Sequence, residues 1–303
     1  MSTLNTCTSS TRPGSPAAGD TLFETDTNKI IVYDGSAFKE YESDSGTYAL
    51  DASNSLSVRP LWHFDAGLIN GVDTSGNPSD DDAFSGTWTS RVNGETTIAQ
   101  SDGSLQPTYK TSGENSKAYL SFDGGDFLFL TKRVYFEGDF TFMVISKAAS
   151  GGNMSPLGIH GADYTNFTSN AFELGGAGPF TGRSNNFLIF YSSSTSGYPG
   201  VSQFPTGKDF ETQTRNLIFK RESSTANLFF DGNNAGSLPS NTSIQDTRVG
   251  VIGRSRHNKT DGNIYEIIAF NSALSTTDLN SWIAYVTSKY AAGTGAMEAQ
   301  DNF

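Results

Sequence analysis

The sequence predicts an all-β chain: a two-sheet antiparallel sandwich closed by one C-terminal helix and preceded by a small β unit. Three observations predict it. Gly, Ser, Thr, Asn and Phe are abundant while only 17% of the 303 residues are charged, a balance that favours short strands joined by polar turns. Short apolar runs of Phe, Ile, Leu, Val and Tyr recur, each bounded by Gly, Asn, Asp, Ser or Pro. Strand and helix patterns do not alternate, which disfavours a parallel α/β sheet.

Residues 1–58 form the first zone. TSSTRPGSPAAGD is a Ser/Pro/Gly stretch with weak order of its own. TLFETDTNKIIVYDGSAFKEY then reads as a β unit, with strands at Leu22-Phe23 and Ile30–Tyr33, a turn at Thr25–Asn28 and a hairpin signal at Asp34-Gly35. Three short strands bury too little area to stand alone, so this unit is expected to fold against something larger.

Residues 59–292 form the sandwich. RPLWHF, KAYLSF, FLFL, FTFMVIS, NFLIFYSS, RNLIFKR, ANLFFDG, RVGVIG and NIYEIIAF are its strands. Ala118, Leu120 and Phe122 share one face by period-2 alternation. Several runs are apolar on both faces, as central strands of a two-layer sandwich should be. The helix is predicted over 275–290. Ser275 caps it, Asp278 takes the capping-box position, and Leu279, Trp282, Ile283, Val286 and Tyr290 make one apolar stripe. Gly293 stops it, and residues 293–303 read as a flexible tail.

A net charge of −12 without any Lys/Arg cluster argues against nucleic acid, whose phosphates the surface would repel. The single cysteine, Cys7, excludes an intramolecular disulfide and a cysteine-based zinc site, and it reads as an incidental thiol. No apolar segment follows a basic start, so no secretory signal is expected. No run approaches the ~18 apolar residues that would insert into a membrane.

Candidate chemistry is sparse. A sandwich glycosidase needs two converging carboxylates, and on one strand these would be two residues apart. Glu173 and Glu266 lack such a partner and read as solvent-facing strand residues. His63, His160 and His257 are isolated, and no pair has the spacing of a helix-borne zinc site. No catalytic residue is therefore expected and the chain reads as a non-enzyme. Asp73, Asn77, Asp80 and Asp82 sit in a loop with oxygen ligands at alternating positions and are the calcium candidates. The loop departs from the EF-hand pattern, and a solvated acidic loop is the favoured reading. Tyr191, Tyr198 and Phe204 lie in glycine-rich surroundings and serve either to stack on sugar rings or to anchor loops. GGAGPFTGR (175–183) lacks a following Lys-Ser/Thr and is not a phosphate cradle. Sequons at Asn153, Asn166, Asn241 and Asn258 are expected by chance in a chain so rich in Asn, Ser and Thr. Asp123-Gly124-Gly125-Asp126 reads as a tight turn, its glycines supplying positive φ and its aspartates bonding the local backbone.

Trp88, Gln100, Gln106-Pro107-Thr108-Tyr109 and Phe122-Asp123-Gly124 with Asp126 and Leu128 form one recognisable series. Leu228–Gly232 with Ala235-Gly236-Ser237, Ile252-Gly253 and Gly262–Ser275 with the helix to Tyr290 continue it. Together, over about residues 59–292, they resemble concanavalin A-like, laminin-G-type jelly-roll domains of phage and bacterial surface proteins. TRPGSPAAGDTLFETDTNKIIVYDGSAFKEY is similar to short attachment modules of tailed-phage virion proteins, over about 45 residues. The resemblance implies a virion decoration protein, head fibre or other appendage. It would dock on capsid or tail through its N-terminal region and display a lectin-like domain towards host-surface polysaccharide. A tail fibre or receptor-binding protein, a non-viral cell-surface carbohydrate-binding module and a polysaccharide-degrading enzyme are the alternatives. Self-association into a homo-oligomer is left open.

Overall fold

The computed structural model describes residues 5–18, 20–26, 29–33, 35–41, 47–92, 96–136, 138–150, 154–158, 173–176, 187–191, 201–203, 213–223, 225–239, 247–254 and 259–290. The expected tail at 293–303, the sequons, His160, His257, Tyr198 and Phe204 lie outside them, as do residues 177–183 of the glycine-rich run. The chain divides into two compact units. One comprises Met1–Tyr48 with Ser57–Arg59, the other Ala49–Leu56 with Pro60–Phe303. The stretch at 49–56 thus belongs with the sandwich, whereas the sequence places it in the first zone. Leu50 and Leu56 are buried, and the Leu50 carbonyl accepts a hydrogen bond from Arg91 of the second unit.

In the first unit a sheet runs in the order β1 (Asn5–Cys7), β2 (Thr21–Glu24), β3 (Lys29–Tyr33) and β4 (Phe38–Tyr41). The last three strands are antiparallel hairpin partners, as their turn residues predict. The fourth, β1, is parallel to β2 and was not legible. A parallel neighbour needs a crossover connection, and the Ser/Pro/Gly stretch supplies it. That stretch is held by specific partners: Ser9 bonds Asp26 through both its amide (2.9 Å) and hydroxyl (2.6 Å). Arg12 pairs with the buried Glu24 and lies over the Phe38 ring, and the Asp20 carbonyl accepts from the Tyr33 amide at 2.9 Å. Its order comes from these contacts with the sheet, not from its own backbone preference.

The second unit begins at Ala49, within the short hairpin of β5 (Tyr48–Ala49) and β6 (Ser55–Leu56). Its strands continue as β7 (Trp62–Asp65), β8 (Thr87–Thr89), β9 (Thr97–Ala99), β10 (Thr108–Lys110) and β11 (Tyr119–Asp123). Next come β12 (Leu128–Phe136), β13 (Phe140–Ala148), β14 (Met154–Gly158), β15 (Glu173–Gly176) and β16 (Phe187–Tyr191). The remainder are β17 (Val201–Gln203), β18 (Arg215–Glu222), β19 (Thr225–Phe230), β20 (Asn233–Pro239), β21 (Thr247–Ile252) and β22 (Asp261–Phe270), before helix α1 (Thr276–Tyr290).

These strands make two eight-stranded antiparallel sheets. The first runs β10-β11-β22-β13-β18-β19-β20, with β7 also paired to β22. The second runs β17-β16-β15-β14-β21-β12-β9-β8. A continuous buried cluster lies between them, with Phe64, Phe142, Val144, Leu217 and Phe219 from one sheet and Trp88, Ile98, Leu128 and Val249 from the other. The architecture is an all-β, jelly-roll-like sandwich.

Helix α1 covers the opposite face of the first sheet. Ser275 and Asp278 form the capping pair, with the Asp278 amide donating to the Ser275 hydroxyl (3.1 Å) and that hydroxyl donating to the Asp278 carboxylate (2.6 Å). Leu279, Trp282, Val286 and Tyr290 are buried as the stripe predicts, but Ile283 is only half-buried and Tyr285 takes a buried place instead. The Trp282 indole N–H donates to the side-chain oxygen of Asn216 on β18 at 3.0 Å, which fixes the helix over that strand. Among the described residues no helix is long and apolar enough to cross a membrane.

Candidate functional site

Two acid-bearing places in the second unit distinguish themselves: one sealed beneath α1, the other open to solvent at the ends of the strands.

The sealed place is built by strand register. β7 pairs with β22 so that His63 lies opposite Ile268 and Asp65 opposite Glu266. The β22–β13 ladder shifts register where Tyr265 falls between the paired Ile264 and Glu266. Such a bulge breaks the alternation of faces. Ile264 points into the core, whereas both Tyr265 and Glu266 touch Tyr290 of the helix. Glu266 is fully buried. Its carboxylate accepts hydrogen bonds from the Tyr285 hydroxyl (2.8 Å), Lys289 Nζ (2.9 Å), the Tyr290 hydroxyl and His63 Nε2. Lys289 Nζ also donates to Asp65 (2.6 Å) and to the Tyr285 hydroxyl (2.7 Å). Arg91 lies 3.6 Å from Asp65. Two carboxylates thus meet two cations in one desolvated cluster.

The electrostatics follow from that pairing. Burial alone would raise the Glu266 carboxyl, but Lys289 and His63 overcome it and hold the group well below the usual carboxylate range. Burial pushes the His63 imidazole down, against the pull of Glu266. Burial lowers the Lys289 ammonium, and Glu266 and Asp65 outweigh it so that the net shift is upward. Burial, with Glu266 next, drives the Tyr285 and Tyr290 hydroxyls well above their ordinary value. The cluster is therefore a fixed array of an anion and its donors, with Glu266 buried beneath the helix. Its chemistry is to fasten α1 to β7 and β22.

This corrects two expectations. Glu266 is not solvent-facing, and His63 is not isolated. A rule that looks two residues along one strand misses a partner supplied by another strand some two hundred positions earlier. Asp65, Arg91, Tyr285 and Lys289 went unnoticed for the same reason. One signal was present: Tyr285 and Lys289 stand four apart and beside Tyr290 on the helix. Glu173 lies on β15.

The open place is a polar cleft of about 570 Å³, lined by Gly138, Asp139, Glu222, Asn271, Ser272 and Ala273. Three chain corners make its walls. The β12–β13 corner is tied to β18, because Arg221 donates to the Gly138 carbonyl (2.6 Å) and the Ser223 amide donates to Asp139 (2.7 Å). The corner leading to α1 is tied to β13, because the Thr141 hydroxyl donates to the Ser272 carbonyl (2.9 Å) and accepts from the Leu274 amide (3.0 Å). Glu222 is paired with Lys220 at 2.9 Å. No sequence motif marks this cleft, since its residues come from turns of ordinary composition.

The calcium candidates are each engaged separately in loop geometry. Asp73 accepts from the Asn70 side chain and the Ser75 amide (both 2.8 Å). Asn77 spans the loop base, accepting from the Ile69 amide and donating to the Gly67 carbonyl. Asp80 accepts from the Thr111 amide (2.6 Å) and hydroxyl (2.9 Å), and Asp82 from the Ser79 amide (3.2 Å). Among the described residues no group of three His, Cys, Asp or Glu side chains is placed to hold a metal ion.

At the Asp123–Asp126 turn only Gly124 has positive φ, at 84°. The Gly125 amide donates to Asp123 (2.7 Å) and the Asp123 amide to Asp126 (3.0 Å). Burial pushes the Asp126 carboxyl up to about 6. The turn serves to join β11 to β12.

No protein-family model and no curated protein matches the chain. Solved structures do. The chain is similar to an arabinofuranosidase complexed with arabinofuranosyl-α-1,2-xylobiose, at a TM-score of 0.51 and 11% identity over 81% of this chain and 62% of that one. It is also similar to domain 4 of an extracellular arabinanase from Geobacillus stearothermophilus in complex with arabinotriose, at a TM-score of 0.48 and 13% identity, over 75% of this chain and 98% of that one. A carbohydrate-binding module from Bacillus subtilis matches at 0.33 and 14%, over 56% and 93%. The chain spans less than two thirds of the arabinofuranosidase. At 11% identity the likeness to the arabinofuranosidase is one of fold.

Proposed function

We propose that the second unit is a non-catalytic glycan-binding sandwich and that the first unit attaches it to a larger assembly. The observation that carries this reading is the sandwich itself, which shares its fold with an arabinofuranosidase solved with a bound sugar. The absence of catalysis is argued from Glu266, Asp65 and His63. Among the described residues these acid and base groups are joined in one hydrogen-bonded cluster beneath α1. The two carboxylates of the open cleft, in contrast, are each engaged by protein, Asp139 by the Ser223 amide and Glu222 by Lys220. Binding to a panel of immobilised oligosaccharides tests the reading. Release of reducing ends from any polysaccharide bound would overturn the non-catalytic part.

The finer reading is a virion surface protein of a tailed phage, a capsid decoration, head fibre or related appendage that docks on capsid or tail. It rests on the resemblance of residues 11–41 to virion attachment modules and on the separate packing of that region. Deleting residues 1–45 should abolish incorporation into particles while the glycan binding of the remainder persists. Unchanged incorporation would remove the docking role. A cell-surface carbohydrate-binding module has the same sandwich, and imaging of labelled protein on purified particles separates the two.

A further inference from the structure

The cleft at the strand ends is a large opening with a mainly polar lining, and its corners are braced by hydrogen bonds from the strands behind them. Among the described residues six line it, and none of these is aromatic or cationic. The neighbouring cations are turned to other work, Lys220 onto Glu222 and Arg221 onto the Gly138 carbonyl. Its volume of about 570 Å³ falls within the roughly 300–1,000 Å³ of small-ligand sites. Ser272, one of its six residues, has a buried hydroxyl oxygen with no partner among the described residues, and a buried polar atom left unsatisfied is unusual.

We infer that this cleft binds a neutral sugar residue through its hydroxyl groups, with Asp139, Glu222 and Asn271 as the recognising side chains. The statement rests on the glycan-binding reading above and gives it a place. Carboxylates are acceptors only, and a charged acceptor makes the stronger class of hydrogen bond to a hydroxyl. Neighbouring hydroxyls on a pyranose or furanose ring offer donors in pairs, and the Asn271 amide supplies both a donor and an acceptor for the oxygens between them. Lys220 offsets the charge of Glu222, so repulsion of carboxylated and sulfated glycans comes from Asp139 and from the net charge of −12. Without an aromatic wall among the six, specificity comes from hydrogen-bond geometry and not from ring stacking.

The bracing makes the cleft pre-formed. Asp139 is held by the Ser223 amide, whose residue sits at a φ of 55°, and the 272–274 corner is held at both ends by the Thr141 hydroxyl. Ligand therefore meets walls already in place, and binding avoids the cost of ordering loops.

The test uses the full chain against immobilised arabino-, xylo-, manno- and galacto-oligosaccharides as neutral probes, with sialyllactose and polygalacturonate as acidic ones. The expected result is binding confined to neutral probes. Glu222→Gln and Asn271→Ala should each weaken it at least tenfold with an unchanged melting temperature. If the wild-type chain binds no probe, the glycan-binding reading fails and this site with it. If it binds and both variants bind equally well, the reading stands and the cleft is not the site. Binding of acidic probes alone, or calcium binding by the wild-type chain that both variants lose, overturns the neutral-sugar assignment.

Discussion

The acid-rich patch beneath α1 and the acid-lined cleft at the strand ends belong to one sheet, yet they do opposite things with their carboxylates. Glu266 gives both oxygens to protein donors and lies out of reach of water. Glu222 is more than half exposed at its side chain and has one lysine partner. A carboxylate ringed by internal donors is scaffold, and one that lines an open cleft has lone pairs left for a ligand. The difference between the two regions can be broken experimentally, and the expected effects fall in a clear order.

The largest effect comes from breaking the sealed cluster. Glu266→Ala leaves Lys289 facing a single carboxylate and two tyrosine hydroxyls without their acceptor. Removing one partner of a buried ion pair costs about 3–5 kcal/mol, and chemical denaturation should read a loss of that size. The pH dependence follows from the same groups. Glu266 has its folded value below the unfolded one, so its contribution is present above about 4.3 and declines as the solution becomes more acidic. Lys289, Tyr285 and Tyr290 have folded values above the unfolded ones, so theirs is present below about 10 and is lost as pH rises further. Melting temperature in the wild-type chain should therefore fall at both extremes. In Glu266→Ala the acid limb should shrink.

A smaller effect is expected at Gly253, which directly follows β21 with φ at +86°; a Cβ there would stand 2.4 Å from a Phe122 ring carbon. Gly253→Ala combines backbone strain with overpacking, each in the range of about 1–3 kcal/mol. A loss of at least 1 kcal/mol in denaturation is expected. A neutral result would mean that Phe122 can move aside.

Asp126 should respond in the opposite direction. Its carboxyl is raised to about 6 by burial, so the folded state binds its proton more tightly than the unfolded chain. Its contribution is present below about 3.9 and is lost as pH rises through about 6. Asp126→Asn keeps an acceptor for the Asp123 amide and removes the charge. It should stabilise the protein at pH 7 by about 1 kcal/mol and flatten the stability profile between about 4 and 6. Destabilisation at pH 7 would show that the ionised group makes a contact worth more than its desolvation.

What the sequence made legible follows the same division between buried and open. Long strands flanked on both sides announce themselves: β13 and β22 lie between neighbours, are buried almost throughout, and appear as FTFMVIS and NIYEIIAF. Their composition is set by burial on two faces. The short β9, β14 and β15, also flanked, read only TIA, MSPLG and ELGG. The edge strands β8, β10, β17 and β20 have a neighbour on one side only, and their sequences TWT, TYK, VSQ and NNAGSLP carry no apolar run to find. The helix was readable from its cap and stripe. Its attachment was not, because the side chains that meet at Glu266 come from β7, β22 and α1 and share no local pattern. The cleft was invisible for a related reason: Asp139, Glu222 and Asn271 are common turn residues until three corners bring them together.

The smallest expected effect on stability is the one that most sharpens the comparison. Glu222→Gln preserves size but replaces one acceptor oxygen by a donor amide, at an exposed side chain whose single lysine pairing is worth about 0–1 kcal/mol. Stability should therefore change by no more than about 0.5 kcal/mol, against several for Glu266→Ala. If the cleft is scaffold in the manner of the sealed cluster, Glu222→Gln will instead lower stability in step with any change in binding. Measured side by side, equal losses of stability at Glu222 and Glu266 would erase the distinction between the two places. A stable Glu222→Gln chain that no longer holds neutral oligosaccharide would establish it.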